Sequence, residues 1–231
     1  MARILNIETS TTVCSVNIAE NGNKIIEKET MIQNAHSKVL TVFIEEILKE
    51  ANLKIKDFDA VAVSKGPGSY TGLRIGVSVA KGIAYGAGKK LISVNTLQNM
   101  AWGAKQFLMP EENILFAPMI DARRMEVYTQ LFDKKLNPVN KISAEIIDEQ
   151  SFLKELEQQK IYFFGDGAAK CKETITHKNA VFVEELYPSA DYMIEFSEKA
   201  FSENNFEDVA YFEPFYLKDF VAGIPKKNIF G

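Results

Sequence analysis

The chain contains little histidine, tryptophan or cysteine: of 231 residues, two are histidine, one is tryptophan and two are cysteine. A zinc site on a helix needs two histidines one turn apart and a third ligand. His36 is followed one turn later by the apolar Leu40, and His177 is remote in sequence, so a metalloprotease is disfavoured and no metal is expected. Cys14 lies in a predicted strand far from Cys171, which is typical of buried, reduced thiols in a cytoplasmic protein.

The chain also lacks a long apolar run and an excess of basic residues. No segment is long enough to span a bilayer, and Met1-Ala2-Arg3 leads directly into a strand, so neither a membrane span nor a signal peptide is expected. Lysine and arginine number 27 against 31 acidic residues, a net charge of −4, which argues against a broad basic surface that grips nucleic acid unaided. The basic spots are small and scattered, and we interpret them as solvated surface charge: Lys65, Arg74, Lys89, Lys90, Arg123, Arg124, Lys226 and Lys227.

A glycine-rich stretch, residues 66–76, follows an apolar strand and opens a helix. Such a turn, here containing Gly66, Gly68 and Gly72, points backbone N–H groups and the positive end of a helix dipole towards an anion. Neither phosphate-binding motif is complete, because the Walker A lysine is missing and the third glycine of the dinucleotide fingerprint is displaced by one residue. The glycines alone are therefore weak support for a nucleotide.

The helix after this turn carries a small residue at every fourth position. These residues form one ridge: Gly72, Gly76, Ala80, Ala84 and Gly88. Each interior glycine lowers helix propensity by about 1 kcal/mol relative to alanine, so the ridge predicts a helix that other backbones approach closely. We expect packing on two sides, one against another chain, although tight packing on the helix's own sheet explains the ridge alone more simply.

The remaining pattern predicts two related halves, divided at the break of residues 109–112 into domains 1–108 and 109–231. The first half is predicted as strands 3–8, 13–19 and 24–29, a helix after an N-cap at Ser37, strand 58–64, helix 73–87, strand 91–94 and helix 96–108. The second half is predicted as strands 114–121, 125–132 and 139–142, helix 151–158, strand 161–164, a short helix, strand 180–183 and helix 190–201. Alternating periodicities of this kind predict an α/β fold.

Two βββαβαβα halves, the second reduced, describe the actin-like, ribonuclease H-like architecture. In that architecture Glu8 and Asp121 end the first strand of each half and face each other across a nucleotide cleft. Two interpretations remain open: an enzyme that uses ATP in this cleft, or strand-end carboxylates satisfied by caps. The short, acidic turn at Gly165-Asp166-Gly167 would repel phosphates, which favours the second. The cleft residues are Glu8, Thr9, Ser10, Asp121 and Arg123.

The C-terminal tail, residues 211–231, is too apolar to be disordered throughout. We expect it to pack back on the body of the protein, although a docking strip for a partner is the alternative.

Four motifs together resemble the bacterial TsaB family, also called YeaZ, over nearly the whole chain. They are Ile4-Leu5-Asn6-Ile7-Glu8-Thr9-Ser10, the stretch from Gly66 to Gly76, Asp121-Ala122-Arg123-Arg124 with Glu126-Val127-Tyr128, and Glu213-Pro214-Phe215-Tyr216-Leu217. The chain departs modestly from the family, with Tyr70 where phenylalanine is common and Lys218 where arginine is common.

This resemblance implies an actin-like protein without its own active site and without a cofactor. It implies a non-catalytic partner of the TsaD enzyme, with TsaE as a further partner, in making the threonylcarbamoyl-adenosine of tRNA position 37. It also implies a homodimer when TsaD is absent, contact with tRNA only through the complex, and no paired zinc-binding histidines of the TsaD kind. The implied pairing face lies on the first-half helices, where Ala80→Arg is expected to abolish pairing without unfolding the chain. Its residues are Leu40, Phe43, Ile47, Leu73, Gly76, Val77 and Ala80.

Overall fold

The structure, a computed structural model, describes residues 2–108 and 113–218. The strands are β1 (Arg3–Glu8), β2 (Cys14–Glu20), β3 (Asn23–Thr30), β4 (Ala60–Gly66), β5 (Lys90–Asn95), β6 (Ile114–Asp121), β7 (Glu126–Thr129), β8 (Phe132–Asp133), β9 (Ser143–Ile146), β10 (Lys160–Phe164) and β11 (Ala180–Phe182). The helices are α1 (His36–Glu50), α2 (Tyr70–Ala87), α3 (Thr96–Leu108), α4 (Leu153–Leu156) and α5 (Ile194–Ser202). None of the helices in these ranges is long and apolar enough to cross a membrane.

The strands form two sheets of the same design. The first has the order β3-β2-β1-β4-β5, and the second has the order β11-β10-β6-β7-β9, with β8 paired to β6. In each sheet an antiparallel meander adjoins parallel crossover strands, as β1 pairs antiparallel with β2 and parallel with β4, and β6 pairs antiparallel with β7 and parallel with β10. The predicted duplicated actin-like fold is confirmed, and its second half is reduced, since α4 has four residues and β11 three.

Helices cover both faces of the first sheet. α1 and α2 pack on one face, where Leu40 and Ile47 meet Ile7 and Val63 in one core cluster. α5 packs on the opposite face, where its residue Phe196 and, just before the helix, Met193 pack with residues of the first sheet. α3 joins the two halves, because its apolar side packs with residues of β6 and β10 in a third cluster. The contact between the halves is therefore an apolar core as well as a cleft.

The last part of the chain returns to the first sheet. The N–H of Glu207 donates to Leu91 O at 2.8 Å, and the N–H of Phe215 donates to Lys65 O at 2.7 Å. Phe212 packs against the first core cluster, as expected for a tail that packs back on the body. By packing, α5 and this segment belong with the first half, although they follow the second in sequence. The predicted boundary at 109–112 and tail residues 219–231 lie outside the described residues.

Several predicted boundaries are corrected. α2 begins three residues earlier than predicted, at Tyr70, because Ser69 Oγ accepts the N–H of Gly72 and caps the helix. α1 is preceded by Ala35 as its N-cap, since Ser37 lies inside the first helical turn. The third strand of the second half lies at 143–146 and not at 139–142. Asn140 instead accepts hydrogen bonds outside a strand ladder, from the Gln130 side chain to its carbonyl oxygen and from the Leu131 N–H to its side chain.

Three further elements of the second half and its C-terminal region differ from prediction. The strand predicted at 125–132 is divided into β7 and β8. The helix predicted at 151–158 is only four residues long, and Phe152 before it adopts a left-handed backbone with φ of 62°. The helix predicted from residue 190 starts with a 3₁₀ turn at Asp191–Met193 before α5. These elements are short and only partly buried, so apolar periodicity specifies them weakly.

Candidate functional site

The glycines of the predicted anion turn bring α2 against the turn between β1 and β2. A Cβ atom on Gly72 would lie within 3.0 Å of Thr9 O, one on Gly76 within 3.0 Å of Thr9 Oγ1, and one on Gly68 within 3.0 Å of Ser10 O. Thr9 Oγ1 donates to Gly72 O at 2.9 Å, and the N–H of Ser69 donates to Ser10 O at 2.6 Å. The glycines are thus required by close backbone packing, and the Ser69 N–H is engaged within the chain.

Glu8 at the end of β1 is fully buried and surrounded by hydrogen-bond donors. Its carboxylate accepts the N–H of Ser10 at 2.7 Å, the hydroxyl of Ser64 at 2.9 Å and the side-chain amide of Asn99 at 3.1 Å. Burial raises the pKa of Glu8, and these donors act in the opposite direction. Donors of the chain itself therefore satisfy the Glu8 carboxylate, which agrees with the second of the two interpretations left open by the sequence. Thr9 is also fully buried.

Asp121 at the end of β6 is exposed, unlike Glu8. It forms an ion pair with Lys170 and accepts the N–H of Arg123 at 3.0 Å. Its own N–H donates to the carboxylate of Asp166 at 3.1 Å. The two predicted carboxylates, Glu8 and Asp121, therefore occupy different environments, and only Asp121 faces solvent.

Asp166 is the second carboxylate at this edge. Burial, with the nearby Asp121 charge as a smaller cause in the same direction, raises its pKa from 3.8 to about 6. Because the folded chain then binds this proton more tightly than the unfolded chain, the contribution of Asp166 to the free energy of unfolding should rise as pH falls from 7 towards 5.

A cavity of about 720 Å³ lies between the two halves. The first half lines it with hydroxyl-bearing residues, and the second half with Asp121, Arg123 and Asp166; Glu8 and Thr9 lie behind its wall. The hydroxyl-bearing residues of the first half are Ser10, Thr11, Thr12, Ser37, Ser69, Tyr70 and Thr71. Its size is that of small-molecule sites in general. Of the predicted cleft residues, the structure brings Ser10, Asp121 and Arg123 together.

His36, at the start of α1, also lines this cavity beside the glycine turn. Its Nε2 atom lies 3.0 Å from Val13 O, so one ring nitrogen is engaged by the backbone. Leu40, one turn later, is buried in the core. Among residues 2–108 and 113–218, no three histidine, cysteine or acidic side chains are grouped to hold a metal ion.

The predicted pairing residues on α1 and α2 are corrected. Phe43 is half-buried, and the other six lie in the chain's own core, because they face the sheet: Leu40, Ile47, Leu73, Gly76, Val77 and Ala80. The ridge of small residues likewise faces inwards, except that Gly88 ends α2 in a left-handed conformation with φ of 62°. The prediction that these helices present a pairing face stays a prediction, but it passes to other residues.

The outer side of α2 carries a second ridge of small residues. Ser78, Gly82 and Gly86 are exposed at every fourth position, and a Cβ on either glycine would meet nothing within 4 Å. Near this ridge on the same helix, Tyr85 is 82% exposed, and on α1 Val42 is 45% exposed. Two interior glycines without an internal packing role leave an open surface that another backbone can approach.

Comparison with known proteins decides the family. The chain is 31% identical to the tRNA threonylcarbamoyladenosine biosynthesis protein TsaB of Haemophilus influenzae, with 95% of this chain and 94% of that protein covered. It is also 31% identical to TsaB of Escherichia coli, with 95% and 96% covered. The chain belongs to the TsaB family. A solved structure titled YeaZ from Pseudomonas aeruginosa superimposes with a TM-score of 0.81 at 23% identity, covering 94% of this chain and all of the other.

The chain also matches a family model that is named for an enzyme. The family model described as "TsaD: tRNA N6-adenosine threonylcarbamoyltransferase" matches residues 24–226. The tRNA N6-adenosine threonylcarbamoyltransferase of Staphylococcus haemolyticus is 36% identical over 108 residues, which cover 40% of this chain and 32% of that enzyme. The likeness to this named enzyme is thus partial, whereas the likeness to TsaB extends over almost the whole chain.

Sequence reasoning missed how the tail closes over the glycine turn. The Arg74 guanidinium lies 4.1 Å from the centre of the Tyr70 ring, and its Nε donates to the hydroxyl of Tyr216 at 3.1 Å. Lys218 forms an ion pair with Glu126 of the second half. The motif Glu213–Leu217 signalled an ordered tail, but only the fold shows that the segment spans both halves.

Proposed function

We propose that the chain acts in the formation of threonylcarbamoyl-adenosine on tRNA as a non-catalytic partner of a TsaD-like subunit. Its relatives of nearly full coverage are named for this biosynthesis. In this proposal the chain works in the cytoplasm, with TsaE as a further partner, and meets tRNA only through the complex. Its contribution is then a coupling free energy that favours the active state of the enzyme.

The environments of Glu8, His36 and Asp121 support a role without bond-making chemistry. Glu8 has no access to the cavity and is held by three donors. His36 is engaged by Val13 O. Asp121 is exposed but is paired with Lys170. A general base must reach the proton it removes, and none of these three groups is presented free to a substrate.

The outer face of α1 and α2 supports the pairing role, and this is the observation that carries the proposal. Its exposed ridge of Ser78, Gly82 and Gly86 allows close approach of a helix from another subunit. The same face would serve a homodimer when the TsaD-like subunit is absent, and the tighter pair would prevail by mass action.

A second candidate function is ATP binding in the cavity between the halves, as an enzyme with its own chemistry. One observation favours it: a cavity of about 720 Å³ joins several hydroxyl groups to Asp121 and Arg123. Calorimetry with Mg-ATP on the isolated chain distinguishes the two. Micromolar binding that is lost in Arg123→Ala would favour this second function, whereas the first predicts no such binding by the chain alone.

The direct experiment is threonylcarbamoyl transfer to tRNA in a reconstituted mixture. We would compare mixtures with the chain present, with the chain omitted, and with the chain as the sole protein. The proposal predicts product only when the chain and the TsaD-like subunit are both present. Undiminished product without the chain, or product from the chain alone, would contradict it.

A further inference from the structure

A second pocket lies on the opposite side of the first sheet from α1 and α2. Along β3, Lys28 points to α1 and pairs with Glu46 at 2.8 Å and Glu50 at 2.6 Å. Glu27 and Glu29 alternate with it and point to the other side, where they line a pocket of about 250 Å³. A chain paired through α1 and α2 would therefore still expose this pocket.

The pocket contains four carboxylates: Glu27, Glu29, Glu185 and Asp191. Lys24 pairs with two of them, at 2.7 Å to Glu27 and 3.0 Å to Asp191. Glu29 accepts the hydroxyl of Ser189 at 2.7 Å, and neither it nor Glu185 has an ion pair within residues 2–108 and 113–218. The local charge is therefore negative, which attracts a cation.

Apolar and aromatic side chains form the rest of the pocket. Tyr192 meets Phe107 edge to face at 6.1 Å, and Gly103 of α3 makes room for it, since a Cβ there would lie within 3.0 Å of the Tyr192 ring. Burial and the carboxylates of Glu29 and Asp191 raise the pKa of Tyr192 to about 12, so the phenol stays neutral. Aromatic faces beside carboxylates suit an ammonium or guanidinium group.

Exposed apolar side chains continue the surface beyond the pocket. Met31 and Phe107, which line it, are 51% and 67% exposed, and Ile32 next to Met31 is 67% exposed. Large apolar residues grouped beside a recognition pocket are typical of a protein-binding surface. A volume of 250 Å³ is below the usual range for drug-sized ligands, roughly 300–1,000 Å³, so the pocket suits a single side chain.

We infer that this acidic-aromatic pocket docks a segment of a partner protein in which a lysine or arginine stands beside an apolar residue. The basic side chain enters between Glu29 and Glu185, and its apolar neighbour covers Met31 and Phe107. Charge complementarity selects this partner, because the two unpaired carboxylates gain a counterion that the described chain does not supply. The inference goes beyond the proposed function and stands independently of it.

The test uses a panel of fluorescein-labelled 12-residue peptides. Each peptide places one arginine or lysine beside leucine or phenylalanine in a glycine-serine frame, and a matched panel replaces the basic residue with citrulline or acetyl-lysine. Fluorescence anisotropy measures binding to the full chain at low and high salt. We expect binding by cationic peptides only, with weaker binding at high salt, since exposed charge pairs are screened.

Two charge variants locate the binding. Glu29→Gln with Glu185→Gln keeps the hydrogen-bonding shape of the pocket and should weaken binding about tenfold, the effect of two exposed ion pairs. Glu149→Gln with Glu157→Gln removes two exposed carboxylates of the second half and should leave binding unchanged.

Three results would overturn the inference. They are no binding by any cationic peptide, equal binding by the neutral panel, and equal weakening by both charge variants. Sedimentation of the chain without peptide tests whether a second copy of the chain occupies this surface instead. If the chain self-associates and Glu29→Gln with Glu185→Gln dissociates it, the surface binds a second copy, and a partner segment is excluded.

Discussion

Gly76 and Gly82 lie six residues apart on α2, and alanine substitutions there should change stability in opposite directions. Alanine favours a helix interior over glycine by about 1 kcal/mol. At Gly82 the new methyl group meets no atom within 4 Å, so Gly82→Ala should stabilise the chain by up to about 1 kcal/mol. At Gly76 the methyl group would lie within 3.0 Å of Thr9 Oγ1.

The conflict at Gly76 cannot be relieved by a free rotation. Thr9 Oγ1 donates to Gly72 O at 2.9 Å, and Thr9 is fully buried, so moving its hydroxyl breaks a hydrogen bond. Overpacking of a close contact costs about 1–3 kcal/mol, which exceeds the gain in helix propensity. Gly76→Ala should therefore destabilise the chain by up to roughly 2 kcal/mol.

Urea unfolding followed by circular dichroism measures both effects. Thr9→Ala removes the obstructing hydroxyl, so adding it to Gly76→Ala should cost less than the sum of the two single changes, with a coupling of about 1 kcal/mol. If Gly76→Ala were as stable as Gly82→Ala, or if the double variant were strictly additive, the assignment of this glycine to close packing against Thr9 would be refuted.

Three further predictions concern buried groups. Ala80→Arg should unfold the chain and not merely block pairing, because Ala80 is fully buried in the core; a native circular dichroism spectrum would contradict this. Asp166→Asn should reduce the rise in urea midpoint between pH 7 and pH 5, while Glu149→Gln should leave this rise intact. The reduction should correspond to about 1 kcal/mol in the free energy of unfolding after allowance for solvent screening. An unchanged pH dependence of the midpoint in Asp166→Asn would disprove the raised pKa. The buried Cys14, whose pKa burial raises to about 12, should react with N-ethylmaleimide only in urea, and rapid labelling of Cys14 in the native chain, located by mass spectrometry, would count against its burial.

Long apolar strands were predictable from the sequence because their period is unambiguous. Strands 3–8 and 114–121 were predicted with the bounds that β1 and β6 adopt, and both are buried almost throughout. Short elements with mixed burial were not, as the four-residue β9 shows. The return of α5 to the first sheet has no local signal, since it depends on contacts between residues more than 100 positions apart.

Helix α2 shows why the spacing of small residues alone does not identify the pairing surface. α2 carries small residues on two sides, at Gly76 and Ala80 and again at Ser78 and Gly82, and both sets recur at helical spacing. Tertiary packing decides which set faces the sheet. The pairing face was predicted on the set that includes Gly76 and Ala80, and in the structure this set is the buried one. The expectation of packing on two sides is compatible with both ridges, but only the fold identifies the open one.

Glu8 illustrates the same limit for chemistry. A carboxylate at a strand end is predictable from sequence, but its access is not, because Ser64 and Asn99 close around it from distant parts of the chain. The prediction that Glu8 and Asp121 face each other across a cleft was based on the fold class. Burial separates them, and Asp121 shares its edge with Asp166 instead.

The affinity of the chain for a purified TsaD-like subunit measures pairing through the outer face of α2. Calorimetry would compare the unaltered chain, Gly82→Arg and the control Gln106→Arg, which places the same side chain at an exposed position of α3. Both variants should keep the native circular dichroism spectrum, since Gly82 has open space around it. Gly82→Arg should lose at least a hundredfold in affinity, about 2.7 kcal/mol, whereas Gln106→Arg should bind normally. Equal affinity of all three proteins would contradict pairing through this face.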